Sequence, residues 1–290
     1  MTALADLLDS TGNDLATHVA RSRDELHALR SRTSDRLHYE QAICDRLRGQ
    51  EQWTLPGFCQ ACGLAVELAG DWLFSDGETV NFRERLVCPS CELNNRQRFM
   101  AHLVRTVLGP GGDVYLYEQV TPFFLWAERT LGGRMTGSEY LGHDIAPGAV
   151  IQGVRHEDAL ALTFDDASFD MVVSNDVYEH VPDIERALAE CVRVLRPEGR
   201  LLFSIPFHEL NDETHQRAEL RDGEVVELLP AQYHGNPISA GGSLVFYDHG
   251  WAILDACRNA GFRDAYLVGY WSSLYGYLGG GLQMVFVAER

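Results

Sequence analysis

Two apolar runs on either side of one amphipathic helix constrain this chain more than any other feature. Phe169-Asp-Met-Val-Val-Ser-Asn175 barely alternates between apolar and polar positions, as expected of a central parallel strand covered on both faces. Ile184, Leu188, Cys191, Val192 and Leu195 then share one helical face, with Pro182 at the helix start. A second apolar run, GRLLFSIPF, covers 199–207. The same rhythm extends both ways. DVYLY (113–117) predicts a first strand, SEYLGHD (138–144) a second and GVRHEDA (153–159) a short third. WAILDACRNAGF (251–262) predicts a helix closed by Gly261, and DAYLVGY with LQMVFVAE a final strand pair. Alternating strands and helices imply an α/β domain with a mostly parallel sheet.

The first half of the chain has a different texture. Residues 1–50 read as helical, without Gly or Pro between Gly12 and Gly49. Leu15, Val19, Leu26, Leu29, Leu37, Ile43 and Leu47 form a thin apolar stripe, suited to packing on the main domain, on a partner or on a second copy in a homodimer. Residues 51–95 are short segments punctuated by Gly and Pro, and they hold four of the seven cysteines. RQRFMAHLVRTVL (96–108) is an amphipathic helix stopped by Gly-Pro-Gly-Gly at 109–112. The expected division is therefore 1–50, 51–95 and 96–290.

Cys59-Gln-Ala-Cys62 and Cys88-Pro-Ser-Cys91 are two CxxC knuckles flanking residues 63–87. Each holds two thiolates close enough to share a cation, and together they complete the tetrahedral sulfur set that zinc favours. The length of 63–87 predicts a β-hairpin between the knuckles, in a small zinc-ribbon-like module. Redox pairs and plain core cysteines are the competing readings. A redox CxxC comes singly at a strand-to-helix turn, so structural zinc held by Cys59, Cys62, Cys88 and Cys91 is preferred. Cys44, Cys191 and Cys257 read as ordinary thiols.

Composition limits the partners. At 46% hydrophobic and 23% charged residues, the chain is of the ordinary globular kind. Its net charge of −18 argues against nucleic acid, whose affinity comes mostly from Lys and Arg on phosphates. Arg96, Arg98 and Arg105 are either a local cationic patch or a solvated helix face, the latter preferred. No stretch approaches the roughly 18 apolar residues of a membrane span, and the apolar run at the start is too short for a signal peptide. A cytoplasmic location is expected.

The segment 168–207, SFDMVVSNDVYEHVPDIERALAECVRVLRPEGRLLFSIPF, resembles class I S-adenosylmethionine-dependent methyltransferases of the type 11 kind. Phe169-Asp170 stands where that family has FD-x-V, Tyr178-Glu179-His180-Val181 where it has LEHV, and Arg193–Gly199 where it has RVLxPGG. The likeness covers 110–205 and, more loosely, 206–290. It implies a Rossmann-like seven-stranded sheet in the order 3-2-1-4-5-7-6, with S-adenosyl-L-methionine over the carboxyl ends of its strands. By resemblance, Glu118 orients the cofactor's amino-acid part, Asp144 accepts the ribose hydroxyls and Asp158 the adenine amine. Ile145, Ala159 and Asn175 fall beside the cofactor on the same basis.

One departure stands out. The family's E/D-x-G-x-G turn after the first strand lets the backbone approach the cofactor without a Cβ in the way. Here Gln119-Val-Thr-Pro-Phe-Phe follows Glu118. Either Gln119 and Thr121 replace the lost contacts, or the site is degenerate and the chain is a binding or scaffold protein; the three acids favour the first. The resemblance makes 206–250 an acceptor-side insertion or lid. Among its polar residues, His234, His208 and His215 are the candidate bases for an oxygen or carbon nucleophile. Tyr270, Trp271, Tyr275 and Tyr277 either stack on an acceptor or pack a lid. A small molecule or glycan is the expected acceptor, with an RNA substrate the alternative that the charge disfavours.

Overall fold

The computed structural model describes residues 15–290, so the acidic leader MTALADLLDSTGND lies outside the described residues. The chain divides into two compact units, one comprising the residues up to Gly109 with Leu267–Val285, the other Pro110–Tyr266 with Phe286–Arg290. That division falls after the 96–108 helix, whereas the sequence suggested a boundary before it.

In the first unit, β1 (Ala16–Ala20) precedes α1 (Arg23–Arg30) and α2 (Ser34–Leu47). A strand stands where the sequence suggested only helix. Thr17 and Val19 are β-branched and favour the extended form. Ser22 then caps α1 by accepting from the Glu25 amide, which fixes where strand gives way to helix. A hairpin follows, β2 (Gln52–Cys59) and β3 (Leu64–Asp71), then α3 (Phe82–Arg85) and α4 (Asn95–Val107). Asn94 and Gln97 make a reciprocal capping box at the start of α4.

The stripe of 15–47 is partly buried: Leu15, Leu26, Ile43 and Leu47 lie inside, while Leu37 is exposed. Glu40 of α2 is buried and accepts from the amides of Gly279 and Gly281 and from the Trp271 indole. Three donors offset the cost of burying that carboxylate. Tyr270, Tyr275 and Tyr277 are also buried, with Tyr270 stacked on Phe99 at 3.6 Å between centroids. These tyrosines are core, which removes them as an acceptor platform.

In the second unit, β4 (Val114–Leu116) leads into α5 (Pro122–Leu131), β5 (Met135–Gly137) and the small hairpin β6 (Val150–Ile151) and β7 (Val154–Arg155). Then come β8 (Phe169–Asn175), α6 (Ile184–Val194) and β9 (Leu195–Ser204). The 206–250 region is built of short strands, β10 (His215–Gln216), β11 (Ala218–Arg221), β12 (Glu224–Glu227), β13 (Tyr233–Asn236), β14 (Ser239–Leu244) and β15 (Tyr247–Asp248). Helix α7 (Ala252–Ala260) ends on Gly261 at φ 114°. The strands β16 (Asp264–Trp271) and β17 (Gln283–Glu289) follow, and each has residues in both units. Asp183, one residue after Pro182, is the cap of α6.

The seven-stranded sheet has the order β1-β16-β17-β9-β8-β4-β5. β4 is parallel to β5 and β8, β8 is parallel to β9, and β17 runs antiparallel to β9. From β5 inward this is the expected 2-1-4-5-7-6 with an antiparallel seventh strand, an α/β Rossmann-like methyltransferase fold. Two details differ. The far-edge strand is β1, antiparallel to β16. The third strand shrinks to one parallel bridge, His156 to Glu139. Gln152 and Gly153 both have positive φ, so the chain turns tightly there and β7 pairs with β6 instead.

Candidate functional site

The carboxyl ends of β4, β5 and β8 converge in the second unit, where doubly wound sheets hold ligands. Glu118, just past β4, is buried. Its Oε1 accepts from the Asn175 amide at 2.5 Å and its Oε2 from the Thr121 hydroxyl. Asn175 ends β8, so an acid and an amide from neighbouring strands lock each other. Thr121 also accepts from the Phe124 amide, and Pro122 occupies the first turn, so α5 begins directly on the turn.

The glycine-free turn is held from outside. Glu139 Oε1 accepts from the amides of Gln119 and Val120 at 2.7 and 3.0 Å. Burial pushes the Glu139 carboxyl up, and those two amides oppose the shift. The Gln119 side chain donates to Gly153 O at 2.9 Å and accepts from the Arg155 amide at 2.7 Å. It ties the turn to the β6–β7 hairpin, and Thr121 is likewise occupied as a cap.

The missing turn glycine has a counterpart on the next strand. A Cβ on Gly137 would meet Glu118 O at 2.7 Å and the Phe124 ring at 2.5 Å. Close backbone approach is therefore permitted by β5 and not by the turn.

Because β5 is Met135–Gly137 and not 138–144, the acid that follows it is Glu139, which sequence reading passed over. Asp144 lies five residues further on in an exposed turn, 3.2 Å from His143, its side chain 88% exposed. Ile145 shares that turn and is half-buried. Asp158 is half-buried and accepts from the Leu160 amide at 2.9 Å, with Ala159 beside it. The structure thus brings Glu118, Gln119, Glu139 and Asn175 together and leaves Asp144 apart. The signal for Glu139 was available in Ser138-Glu139, once the strand was allowed to start at Met135.

Several family-like motif residues are structural. Asp170 accepts from the Asp113 amide at 2.8 Å and pairs with Arg196 at 2.5 Å, which joins the starts of β4, β8 and β9. Arg193 donates to Phe164 O and Leu162 O, pinning that loop to α6.

A different cluster forms around the EHV segment. Glu179 is fully buried (0% exposed), and its Oε1 lies 3.5 Å from His234 Nδ1 and 3.6 Å from His180 Nε2. The strand pair β13–β14 carries His234, and Leu244 of β14 accepts from His180 Nδ1 at 2.8 Å. That bond anchors both histidines over one carboxylate, which holds the His234 imidazole above its ordinary range. His208 and His215 do not join them. His208 is exposed, 3.8 Å from Asp248, and His215 is exposed in β10. His249 is buried, and burial pushes its imidazole down to about 4.

In the first unit, the four cysteine sulfurs lie within 4.8 Å of one another. Sγ of Cys59 is 3.8 Å from that of Cys91, and Sγ of Cys62 is 3.8 Å from that of Cys88. Burial pushes the Cys62 thiol up to about 12. The first knuckle is the turn of the β2–β3 hairpin, so the hairpin embraces that knuckle instead of lying between the two. Gly63 and Glu92, each just after its knuckle, have positive φ of 71° and 61°, so both knuckles close in the same way. Cys44, Cys191 and Cys257 are buried free thiols.

Nor do the arginines of α4 make a cationic face. Arg98 is fully buried against the carbonyls of Leu86, Tyr275 and Gly276. Arg96 is buried beside Glu84, and Arg105 donates to Gln60 O. Arg96 and Arg98 therefore belong to the interior, whereas Arg105 is exposed. No helix among the described residues is long and apolar enough to cross a membrane.

Comparison with known proteins places the second unit. Residues 129–203 match the family described as Methyltransferase domain. A probable S-adenosylmethionine-dependent methyltransferase of Mycolicibacterium smegmatis is 38% identical over 120 residues, covering 39% of this chain and 45% of that protein. A malonyl-[acyl-carrier protein] O-methyltransferase of Methylococcus capsulatus is 47% identical over 58 residues, 20% of this chain and 21% of that one. The chain thus spans less than half the length of these curated relatives. An S-adenosylmethionine-dependent methyltransferase of known structure from Mesorhizobium loti aligns with 16% identity and a TM-score of 0.42, over 66% of this chain and 97% of that one. The strand order is that of the Rossmann-like methyltransferase fold, and residues 129–203 are similar to the Methyltransferase domain family.

Proposed function

We propose that this chain is an S-adenosylmethionine-dependent methyltransferase acting on a small molecule or a saccharide, with O- or C-methylation. The observation that carries this reading is the set of acidic groups, Glu118, Glu139 and Asp158, at or beyond the carboxyl ends of neighbouring strands. Carboxylates there suit the cofactor's ammonium, ribose hydroxyls and adenine amine, and negative charge suits a sulfonium. The cofactor supplies the methyl group. The protein's part is alignment of the acceptor in line with the methyl carbon. Among the three candidate bases, His234 has the best support, because Glu179 stands beside its Nδ1 and orients the ring. His208, 3.8 Å from Asp248, and His215 are both exposed and not held against a buried carboxylate as His234 is.

Structural zinc is the second element of the proposal. A tetrahedral site with Zn–S bonds of about 2.3 Å has sulfur-to-sulfur edges of about 3.8 Å. The two measured edges have that length. All four positions are filled by cysteine, so the ion holds structure and performs no chemistry. A role as a methyltransferase-fold binding protein is favoured by one observation, the commitment of the Gln119 amide to Gly153 and Arg155. The discriminating experiment is an assay for S-adenosylhomocysteine release with nucleotide sugars, free saccharides and small hydroxy compounds. Turnover that falls at least about a hundredfold in His234→Ala, with cofactor affinity unchanged, supports the enzyme and its base. Unchanged turnover in that variant rejects the base assignment.

A further inference from the structure

Glu179, His180 and His234 turn three donor atoms toward one another. The ligand atoms lie within 4.8 Å of each other, and Glu179 Oε1 is 3.5 and 3.6 Å from the two imidazole nitrogens. Neither Glu179 oxygen has a hydrogen-bond partner although the side chain is fully buried. A buried, unpartnered carboxylate costs several kcal/mol unless a proton or a cation compensates it.

Tautomers sharpen the point. Leu244 O can only accept, so His180 Nδ1 carries the proton and Nε2 turns its lone pair toward Glu179. His234 differs: the Gln232 amide N–H donates to its Nε2 at 3.3 Å, so Nδ1 carries the proton that faces Glu179 until an ion displaces it. One imidazole lone pair and a carboxylate oxygen therefore converge, and His234 Nδ1 becomes the third ligand atom on loss of that proton. His180 shows the pattern of metal-binding histidines, one nitrogen turned to the site and the other held by a carbonyl. The rings stand at 84° to each other with centroids 5.1 Å apart, so their nitrogens approach from separate directions.

We propose that Glu179, His180 and His234 form a second metal site, for a divalent transition ion of the zinc or cobalt class, distinct from the cysteine centre. A tetrahedral ion with bonds of about 2.0–2.1 Å needs donors about 3.3 Å apart, within a few tenths of an ångström of the two distances here. Two imidazoles with one carboxylate favour such ions over magnesium and calcium, which prefer all-oxygen sets. Three protein ligands leave a position open, as catalytic metal sites do and structural ones do not. Both histidines are partly exposed, their side chains 17% and 29% accessible, so the open position faces solvent. If the chain is the methyltransferase proposed above, an acceptor oxygen binds there and its proton passes to solvent more readily. Bound to the ion, His234 serves as a ligand in place of the base role proposed above, and the metal content of His234→Gln distinguishes the two.

Metal content of the full chain tests this. Protein purified under reducing conditions and dialysed against zinc is expected to hold two equivalents. Substituted with cobalt, one equivalent should show thiolate charge-transfer absorption and the other only the weaker bands of nitrogen and oxygen ligands. Glu179→Gln and, because that residue is buried, the more exposed His234→Gln should each hold one equivalent, with the thiolate band intact as proof that the cysteine unit is folded. A single equivalent in the wild type, or two equivalents retained in both variants, overturns the site. S-adenosylhomocysteine binding is measured separately, so loss of the methyltransferase reading is not mistaken for loss of this one.

Discussion

Gly137 concentrates the consequence of the rebuilt turn in one residue. With Glu118 O 2.7 Å and the Phe124 ring 2.5 Å from where an added methyl group would sit, Gly137→Ala forces the turn away from β5. A loss of about 1–3 kcal/mol is expected, read as a lower urea midpoint, together with weaker cofactor binding. An unchanged midpoint would mean that the turn is not held against β5. His102 gives a second prediction at this scale. It lies among Phe99, Tyr275 and Tyr277, and burial pushes its imidazole down to about 4. A depressed folded value means the neutral form is favoured, so its stability is present above about pH 6.5 and is lost as pH falls toward 4. At about 1.4 kcal/mol per unit, the loss by pH 5 is about 2 kcal/mol. His102→Leu should flatten the acid limb of urea stability by that amount; an identical slope in the variant contradicts the assignment.

Among the elements, the cysteine knuckles are the most exposed to test. Chelation at neutral pH should strip the cysteine-held ion along with the one proposed at Glu179, and loss of the former should unfold the elements the knuckles join, β2, β3 and α3, because site formation and folding are coupled. Loss of near-ultraviolet circular dichroism with stoichiometric metal release is the expected result, and an unchanged spectrum after full release contradicts a structural ion. This is also the scale at which the sequence was most informative. Phe169–Asn175 is the same seven residues in sequence and structure, since an apolar run flanked by polar turns has one way to sit in a parallel sheet. The meeting of the four cysteines was equally legible, because each CxxC turn brings two sulfurs together and the structure clusters all four. The second strand was not. SEYLGHD has the right texture, but Leu141 donates to His156 Nδ1 and leaves the sheet, so the strand is Met135–Gly137. With it went the choice between Glu139 and Asp144. Local pattern also could not place His180 and His234 together. Their meeting depends on the contact of Leu244 with His180, a link between residues 64 apart in sequence.

For the whole molecule, the fold is Rossmann-like and residues 129–203 match the Methyltransferase domain family, while the turn after β4 is braced by Glu139 and Gln119 instead of glycine. The small-molecule or saccharide acceptor proposed above accords with the net charge of −18 and the burial of Arg96 and Arg98. Everything proposed about catalysis rests on whether the braced turn still receives the cofactor. Calorimetric titration of the full chain with S-adenosylhomocysteine decides it. Saturable one-to-one binding is expected, weakened at least about tenfold, or about 1.4 kcal/mol, in Glu118→Ala and in Asp158→Ala. No heat at millimolar ligand, or affinity unchanged in both variants, would contradict it.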